Sequence, residues 1–242
     1  MNNIGIGIMC FGNEVYYNGT FSKIKNIIDN GIHCYVLTED INFFKGKFND
    51  EFLTLLPYNK FVKSYHDKVL IIKEIIKNHE IAILVDADTM LDGYTFLNNM
   101  KEFEFEKGIS YLSSLELHDC KYGHIKDIQM NPENVQWYDY RKYVETLLPE
   151  FNELETIWEY YIVFNKDGFN SDEFFTHYEK LQTVKEYCDI KLNKNKIVGA
   201  AEGVSVHVAA KLSNSQIQKD QRLYELLKHM VIPTIAPRAF KQ

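Results

Sequence analysis

Two carboxylates separated by a single residue, Asp86 and Asp88, follow directly on the apolar run Ile81, Ala82, Ile83, Leu84, Val85. Like charges at that spacing repel, and they lose hydration when a fold crowds them. A divalent cation is the simplest compensation, so the pair reads as a candidate metal site. A third acid, Glu202, lies within Gly199, Ala200, Ala201, Glu202, Gly203, where small side chains let a chain approach another surface closely. From Glu202 an apolar spacing through Val206, Ala209 and Leu212 predicts a helix, and an acid in its first turn is favoured by the helix dipole.

The elements that position these residues follow from periodicity. Five consecutive apolar, largely β-branched residues predict a buried strand over 81–85, and an open α/β sheet presents ligands at the C-terminal ends of such strands. Ile4 to Cys10 predicts a first strand, followed by a turn at Gly12 and Asn13 and a helix carrying Ile24, Ile27 and Ile28. A second strand is expected over Ile32 to Leu37, ending in Thr38, Glu39 and Asp40. From Asp67 to Lys77 the stripe Val69, Ile72, Ile76, widened by Leu70, Ile71 and Ile75, predicts a helix leading into the strand before Asp86. The expected order is strand, helix, strand, helix, strand, a parallel sheet with right-handed crossovers in which the strand before Asp86 is the third.

Beyond Asp88 the pattern loosens. Strands are expected over Gly108 to Ser113 and over Thr156 to Phe164, the latter holding Trp158, Tyr160 and Tyr161. Helices are expected from Arg141 to Leu148, around Asp172 to Leu181, from Glu202 to Leu212 and from Gln216 to Met230, with Glu116 to Tyr140 lacking a clean period. The expectation is a single α/β domain with a mixed, mainly parallel, Rossmann-like sheet flanked by helices. Residues 1–115 would form a nucleotide-binding half, and 116–242 an acceptor-binding half with C-terminal helices.

Composition narrows the function. A net charge of −7 with no clustered basic surface argues against nucleic acid as a partner. Only three of the 27 basic residues are arginine (Arg141, Arg222, Arg238), leaving little bidentate guanidinium to hold a diphosphate and again favouring a metal. The cysteines Cys10, Cys34, Cys120 and Cys188 are scattered without a CxxC, so neither a zinc site nor a disulfide framework is indicated. No apolar run reaches the roughly 18 residues that cross a bilayer, and the N-terminus lacks the features of a signal peptide. A cytoplasmic, reduced protein without a transmembrane segment is expected. Gly5 and Gly7 fall inside the first strand, so GxGxxG is not met, and a P-loop is absent as well.

The segment Asp86, Ala87, Asp88, with its preceding apolar strand and its position in the chain, resembles the DXD motif of GT-A-fold nucleotide-sugar glycosyltransferases. The resemblance covers the first 115 residues or so, and the remainder loosely. It implies transfer of a sugar from a nucleotide diphosphate donor, a UDP-sugar in the first instance, to a hydroxyl acceptor on a glycan, a protein or a small molecule. It implies that Asp88 binds Mn2+ or Mg2+ directly and that Asp86 binds the metal through water or reaches the donor ribose. Donor contacts would come from Cys10, Phe11, Gly12, Asn13, Thr38, Glu39 or Asp40, Lys68, Asp86 and Ala87. Glu202 would be the catalytic acid beneath the acceptor, a general base in inverting members or a nucleophile in some retaining ones. Gly203 stands where inverting members usually carry a second acid. A C-terminal histidine completes the metal shell in some members, which singles out His229, with His207 the other histidine near Glu202. Trp158 and Glu159 offer a sugar-stacking ring beside an acid, although neighbouring strand residues face opposite sides. The tail from Ile232 to Gln242, with Arg238 and Lys241, would be a lid over the diphosphate.

Two other readings remain open on the same residues. Asp86, Ala87, Asp88, Thr89 partly matches the motif of haloacid-dehalogenase phosphatases, but that motif follows the first strand of its domain and has Thr or Val where Met90 stands. A non-catalytic sugar- or nucleotide-binding module would keep the fold without turnover.

Overall fold

The computed structural model describes residues 3–12, 14–59, 65–87, 90–91, 95–113, 135–155, 157–182, 201–227 and 230–231. Strand β1 (Ile4–Cys10) is buried along its whole length, as expected for a central parallel strand covered on both faces. Its even residues Ile4, Ile6, Ile8 and Cys10 join one core cluster, and Met9 joins the other. Glycines occupy positions 5 and 7 because helix α3 (Ile71–Asn78) lies almost directly on the strand there. A Cβ added at Gly5 would come within 2.5 Å of Ile75 Cγ2, and one at Gly7 within 2.9 Å of Ile71 Cγ2. The glycines of the opening alternation are therefore packing surfaces.

Helix α1 (Glu14–Asp29) returns the chain over the opposite face and buries Tyr17, Thr20, Lys23, Ile24 and Ile27. Strand β2 (His33–Thr38) pairs parallel with β1. A short helix α2 (Ile41–Phe44) and one 3-10 turn then lead into β3 (Leu53–Pro57), which pairs parallel with β2. The helix expected over 67–77 is divided: Tyr65–Leu70 is 3-10 and α3 follows, with Ile71, Ile72, Ile75 and Ile76 buried. Strand β4 (Ile81–Val85) then pairs parallel with β1. The strand before Asp86 is thus the fourth along the chain, because the expected order omitted β3. Only Leu53 of β3 is buried and its other residues are half-buried or exposed, so this sheet-edge strand lacks a continuous apolar run.

The second half supplies β5 (Met90–Leu91), α4 (Thr95–Glu102), β6 (Gly108–Ser113), α5 (Val135–Leu147), β7 (Ile157–Asn165), α6 (Ser171–Gln182), α7 (Ala201–Leu212), β8 (Ile217–Lys219), α8 (Arg222–Leu227) and β9 (Met230–Val231). Helix α5 begins six residues before Arg141, the expected start. The helix expected over 216–230 is replaced by strand β8, helix α8 and strand β9. Residues 217–219 are drawn into the sheet by parallel pairing with β6, where tertiary contacts override a weak local helical pattern. Among the described residues the main sheet has seven strands in the order β3-β2-β1-β4-β7-β6-β8, and β5 pairs with β9 separately. All seven run parallel except β7, which is antiparallel to both β4 and β6. The fold is a single domain with a mixed, mostly parallel sheet between helices. One core lies beneath α3, α6 and α7 (Leu84, Phe164, Phe174, Val206), the other beneath α1 and α4 (Ile6, Val85, Tyr161, Leu97).

Candidate functional site

The C-terminal ends of β1, β2, β3 and β4 form one edge, and the sequence-derived candidates gather there. Past Cys10 the chain turns at Gly12, whose φ of 97° suits glycine, and the Gly12 amide donates to Glu39 Oε1 at 2.9 Å. This bond ties the loop after β1 to the loop after β2. Thr38 is fully buried; its hydroxyl accepts from the Asp40 amide at 3.2 Å, and Asp40 caps α2 by accepting from the Phe43 amide. Both side chains thus have a local structural task that shapes the loop. The Cys10 thiol is buried, and burial pushes its pKa up to about 11, so it stays protonated and unreactive.

Beside this loop lies a cavity of about 270 Å3, walled by Leu37, Leu56 and Ile71 and edged by Tyr58, Asn59 and Asp67. The Tyr58 hydroxyl donates to Asp67 Oδ2 at 2.7 Å, and the Phe11 ring packs against Tyr58 with centroids 5.6 Å apart. Both Asp67 and the next residue, Lys68, are buried. The Lys68 ammonium donates to Asp86 Oδ1. Asp86 immediately follows β4 and shares the parity of Leu84, which places its carboxylate on the α3 face of the sheet.

A second lysine meets the same turn from the opposite face. Lys23 of α1, only 2% exposed, donates to the carbonyl oxygens of Asp86, at 3.0 Å, and of Ala87. The segment leaving β4 is therefore held by two ammonium groups, one on a side-chain carboxylate and one on the backbone.

Helix α7 reaches this edge as well. It ends at Leu212, and a short turn leads into β8, which runs parallel to β6 and hence in the direction of β4. Its N-terminus, with Glu202 as second residue, accordingly points to the C-terminal edge. His207, lower on the helix, is anchored: its Nδ1 lies 2.9 Å from the Glu155 carbonyl, to which it must donate, and its ring packs on Tyr111. Burial pushes its pKa down to about 4, so it is neutral at pH 7 and serves the packing of α7. In β7, Tyr161 pairs with Val85, so the backbone of Trp158 and Glu159 continues past the last residue of β4 on the Asp86 side.

No protein-family model matches the sequence, and no curated protein matches it. Among solved structures, the galactosyltransferase LgtC, crystallised with donor and acceptor sugar analogues, superposes over 98% of this chain and 84% of its own, with a TM-score of 0.51 at 11% identity. The chain carries the GT-A fold. A glycosyltransferase involved in glycosylation of the major capsid of PBCV-1 matches 96% of this chain and 93% of its own with a TM-score of 0.49 at 10% identity. The bifunctional glycosyltransferase WbbM matches 79% of this chain with a TM-score of 0.45 at 10% identity, and the chain spans 37% of its length.

Within the GT-A fold, the described residues bring together Cys10, Phe11, Gly12, Thr38, Asp40, Lys68, Asp86 and Ala87 along one edge. Asn13, Asp88 and His229 lie outside the described residues, as does the tail from Ile232 to Gln242. Among the described residues no group of three His, Cys, Asp or Glu side chains is arranged to hold a metal. The acids offered by the chain suit Mg2+ or Mn2+, which take one or two carboxylates and complete their shell with water and substrate phosphates. Three participants escaped sequence reasoning: Lys23, Tyr58 and Asp67. For Lys23 a signal existed, since Thr20, Lys23, Ile24 and Ile27 form an i, i+3, i+4, i+7 stripe and a lysine on a buried stripe demands a partner. Among the described residues, no helix is long and apolar enough to cross a membrane.

Proposed function

We propose that this chain is a metal-dependent glycosyltransferase that moves a sugar from a nucleotide diphosphate donor, a UDP-sugar, to a hydroxyl acceptor. The observation that carries the reading is the Lys68–Asp86 pair at the end of β4, beside a cavity, at the ligand-presenting edge of a GT-A fold. The similarity of LgtC, solved with donor and acceptor sugar analogues, supports it at the level of the fold.

In this reading residues 1–115 bind the donor. The cavity takes a planar base between Leu37, Leu56 and Ile71, with Asn59 and Asp67 as polar partners at its rim. Phe11 and Gly12 border the nucleoside, and Asp86 and Asp88 hold the cation, with His229 as a further ligand candidate. A cation held there, Mn2+ or Mg2+, would supply charge neutralisation for a departing diphosphate. Lys68 adds a buried ammonium beside Asp86, in reach of the same negative charge. Glu202, at the head of α7, accepts the proton of the acceptor hydroxyl or stands beneath the anomeric carbon, and residues 116–242 shape the acceptor site. The haloacid-dehalogenase reading is not favoured, because Asp86 follows the fourth strand of its domain, where that motif follows the first.

Thermal unfolding with UDP and Mn2+ tests the proposal: at a hundredfold excess over Kd, stability rises by about 2.7 kcal/mol. Asp88→Asn abolishes the metal-linked part of that shift. Glu202→Ala abolishes transfer while leaving the shift intact. Absence of any nucleotide diphosphate effect, with or without metal, refutes the reading; an unchanged transfer rate in Glu202→Ala removes that residue from catalysis.

A further inference from the structure

Lys23 lies in the middle of α1, within the buried stripe of that helix, where an ammonium loses nearly all contact with water. Such a charge is tolerated only where dipoles or counter-charges replace hydration. Here they are the two consecutive carbonyl oxygens of Asp86 and Ala87, at the point where the chain leaves β4. The helix has made room for that contact. Gly19, one turn before Lys23, faces the same segment, and a Cβ there would stand 3.3 Å from the Ala87 carbonyl oxygen.

We propose that Lys23 is a positioning residue for the metal-binding turn, an inference that rests on the function proposed above. Lys68 engages the Asp86 carboxylate from the α3 face, whereas Lys23 engages the backbone carbonyls of Asp86 and Ala87 from the α1 face. Fixing two successive carbonyls sets the orientation of both peptide planes. That orientation sets how the chain leaves β4 through Ala87, the residue that precedes Asp88 in the sequence. Lys23 acts through the backbone it holds, as the outer support of a metal ligand, a role whose removal typically costs about 10–100-fold in metal affinity.

The test compares the wild-type chain with Lys23→Met, which keeps the aliphatic stem and removes the ammonium, and with Gly19→Ala, which crowds the Ala87 carbonyl and leaves the lysine in place. Circular dichroism establishes folding. Calorimetric titration with UDP is run with and without Mn2+, and hydrogen exchange is followed over residues 85–91. The expected result is a folded Lys23→Met protein with faster exchange confined to 85–91. Its Mn2+-dependent UDP affinity falls at least about tenfold, and its metal-independent affinity is unchanged. Gly19→Ala shifts the same two readouts in the same direction by less.

A Lys23→Met protein with a lowered Tm but wild-type Mn2+-dependent affinity overturns the inference, since Lys23 would then serve only the helix core. Exchange over 85–91 that matches wild type also overturns it. If Lys23→Met does not fold, Gly19→Ala decides by the same two readouts. If the wild-type chain shows no Mn2+-dependent UDP binding, it is the proposed function that fails, and the exchange measurement alone decides whether Lys23 holds the turn.

Discussion

The close contact between α3 and β1 makes Gly5→Ala a sharp test of how the site is built. A methyl group at position 5 would lie 2.5 Å from Ile75 Cγ2 and 2.9 Å from His79 Cδ2. Carbon atoms rest about 3.5–4.0 Å apart, so roughly 1 Å must open between helix and strand. Ile75 is fully buried and has no solvent into which to turn, so the helix or the strand must move. Overpacking of this kind costs about 1–3 kcal/mol. Alanine recovers roughly 0.5–1 kcal/mol of backbone entropy that glycine loses in a strand. The net loss is about 1–2 kcal/mol, or a Tm lowered by roughly 2–8 °C for a domain of this size. Leucine has no Cγ2 branch, so Ile75→Leu removes the nearest atom and costs less than about 1.5 kcal/mol on its own. Urea unfolding of wild type, both single variants and the double variant gives the coupling. The double variant should match Ile75→Leu to within about 0.5 kcal/mol, a favourable interaction of about 1–2 kcal/mol. A Gly5→Ala protein as stable as wild type, or additive losses in the double variant, refutes the claim that this approach requires glycine.

Breaking the Lys68–Asp86 pair from one side should cost more than removing it altogether. Asp86 keeps about a quarter of its side-chain exposure (24%) against 6% for Lys68, so Lys68→Met should lose about 1–2 kcal/mol, below the range for a fully buried pair. Adding Asp86→Asn should restore part of that loss, and a double-mutant cycle without coupling would contradict the ion pair. Acid should destabilise the fold through one buried and two half-buried histidines. His207 falls from its ordinary 6.5 to about 4 in the folded state, and His33 and His79 are also lowered, by burial. The unfolded chain therefore binds more protons below pH 6.5, so this stability is complete above that value and drains away as pH falls towards 4. For His207 the loss by about pH 4.5 is on the order of 2–3 kcal/mol, taking about 1.4 kcal/mol for each unit between the two values. Urea midpoints of wild type and His207→Gln at pH 7 and 4.5 check this, and an equal acid loss in the variant would rule His207 out as the cause.

How far the chain announces its own structure varies with how strongly each segment is buried. Strands β1, β4 and β6 have the bounds the sequence predicts, and β2, β7, α6 and α7 lie within a residue of theirs, because continuous apolar runs or amphipathic stripes mark them. Strand β3 was not expected because it sits at a sheet edge with only Leu53 buried. Strand β8 is three residues long and owes its conformation to β6, a partner about 110 positions earlier, which no local pattern encodes. The edge that gathers the candidate residues follows from parallel topology and was legible. The pairings across it were not: that Lys68 reaches Asp86, Lys23 the following backbone and Tyr58 Asp67 depends on side-chain directions set by packing.

The antiparallel strand β7 gives the molecule an unequal capacity for change. Strands β1, β2, β3 and β4 lie within the first 85 residues, whereas β4 meets β7 only after a connection of about 70 residues that also includes β6. The entropy of closing a flexible connection grows slowly, by about 0.6 kcal/mol for each doubling of its length. The length of the connection before β7 thus costs little in itself, and the buried side chains it carries, among them Leu97, Met100, Ile109, Leu112 and Val144, offset that cost. The interlocked contact of α3 on Gly5 and Gly7 accepts almost no alteration. The frame of β1 to β4 is thus closed by partners near in the chain, whereas β6, β7 and β8 must be brought to it from far along the sequence.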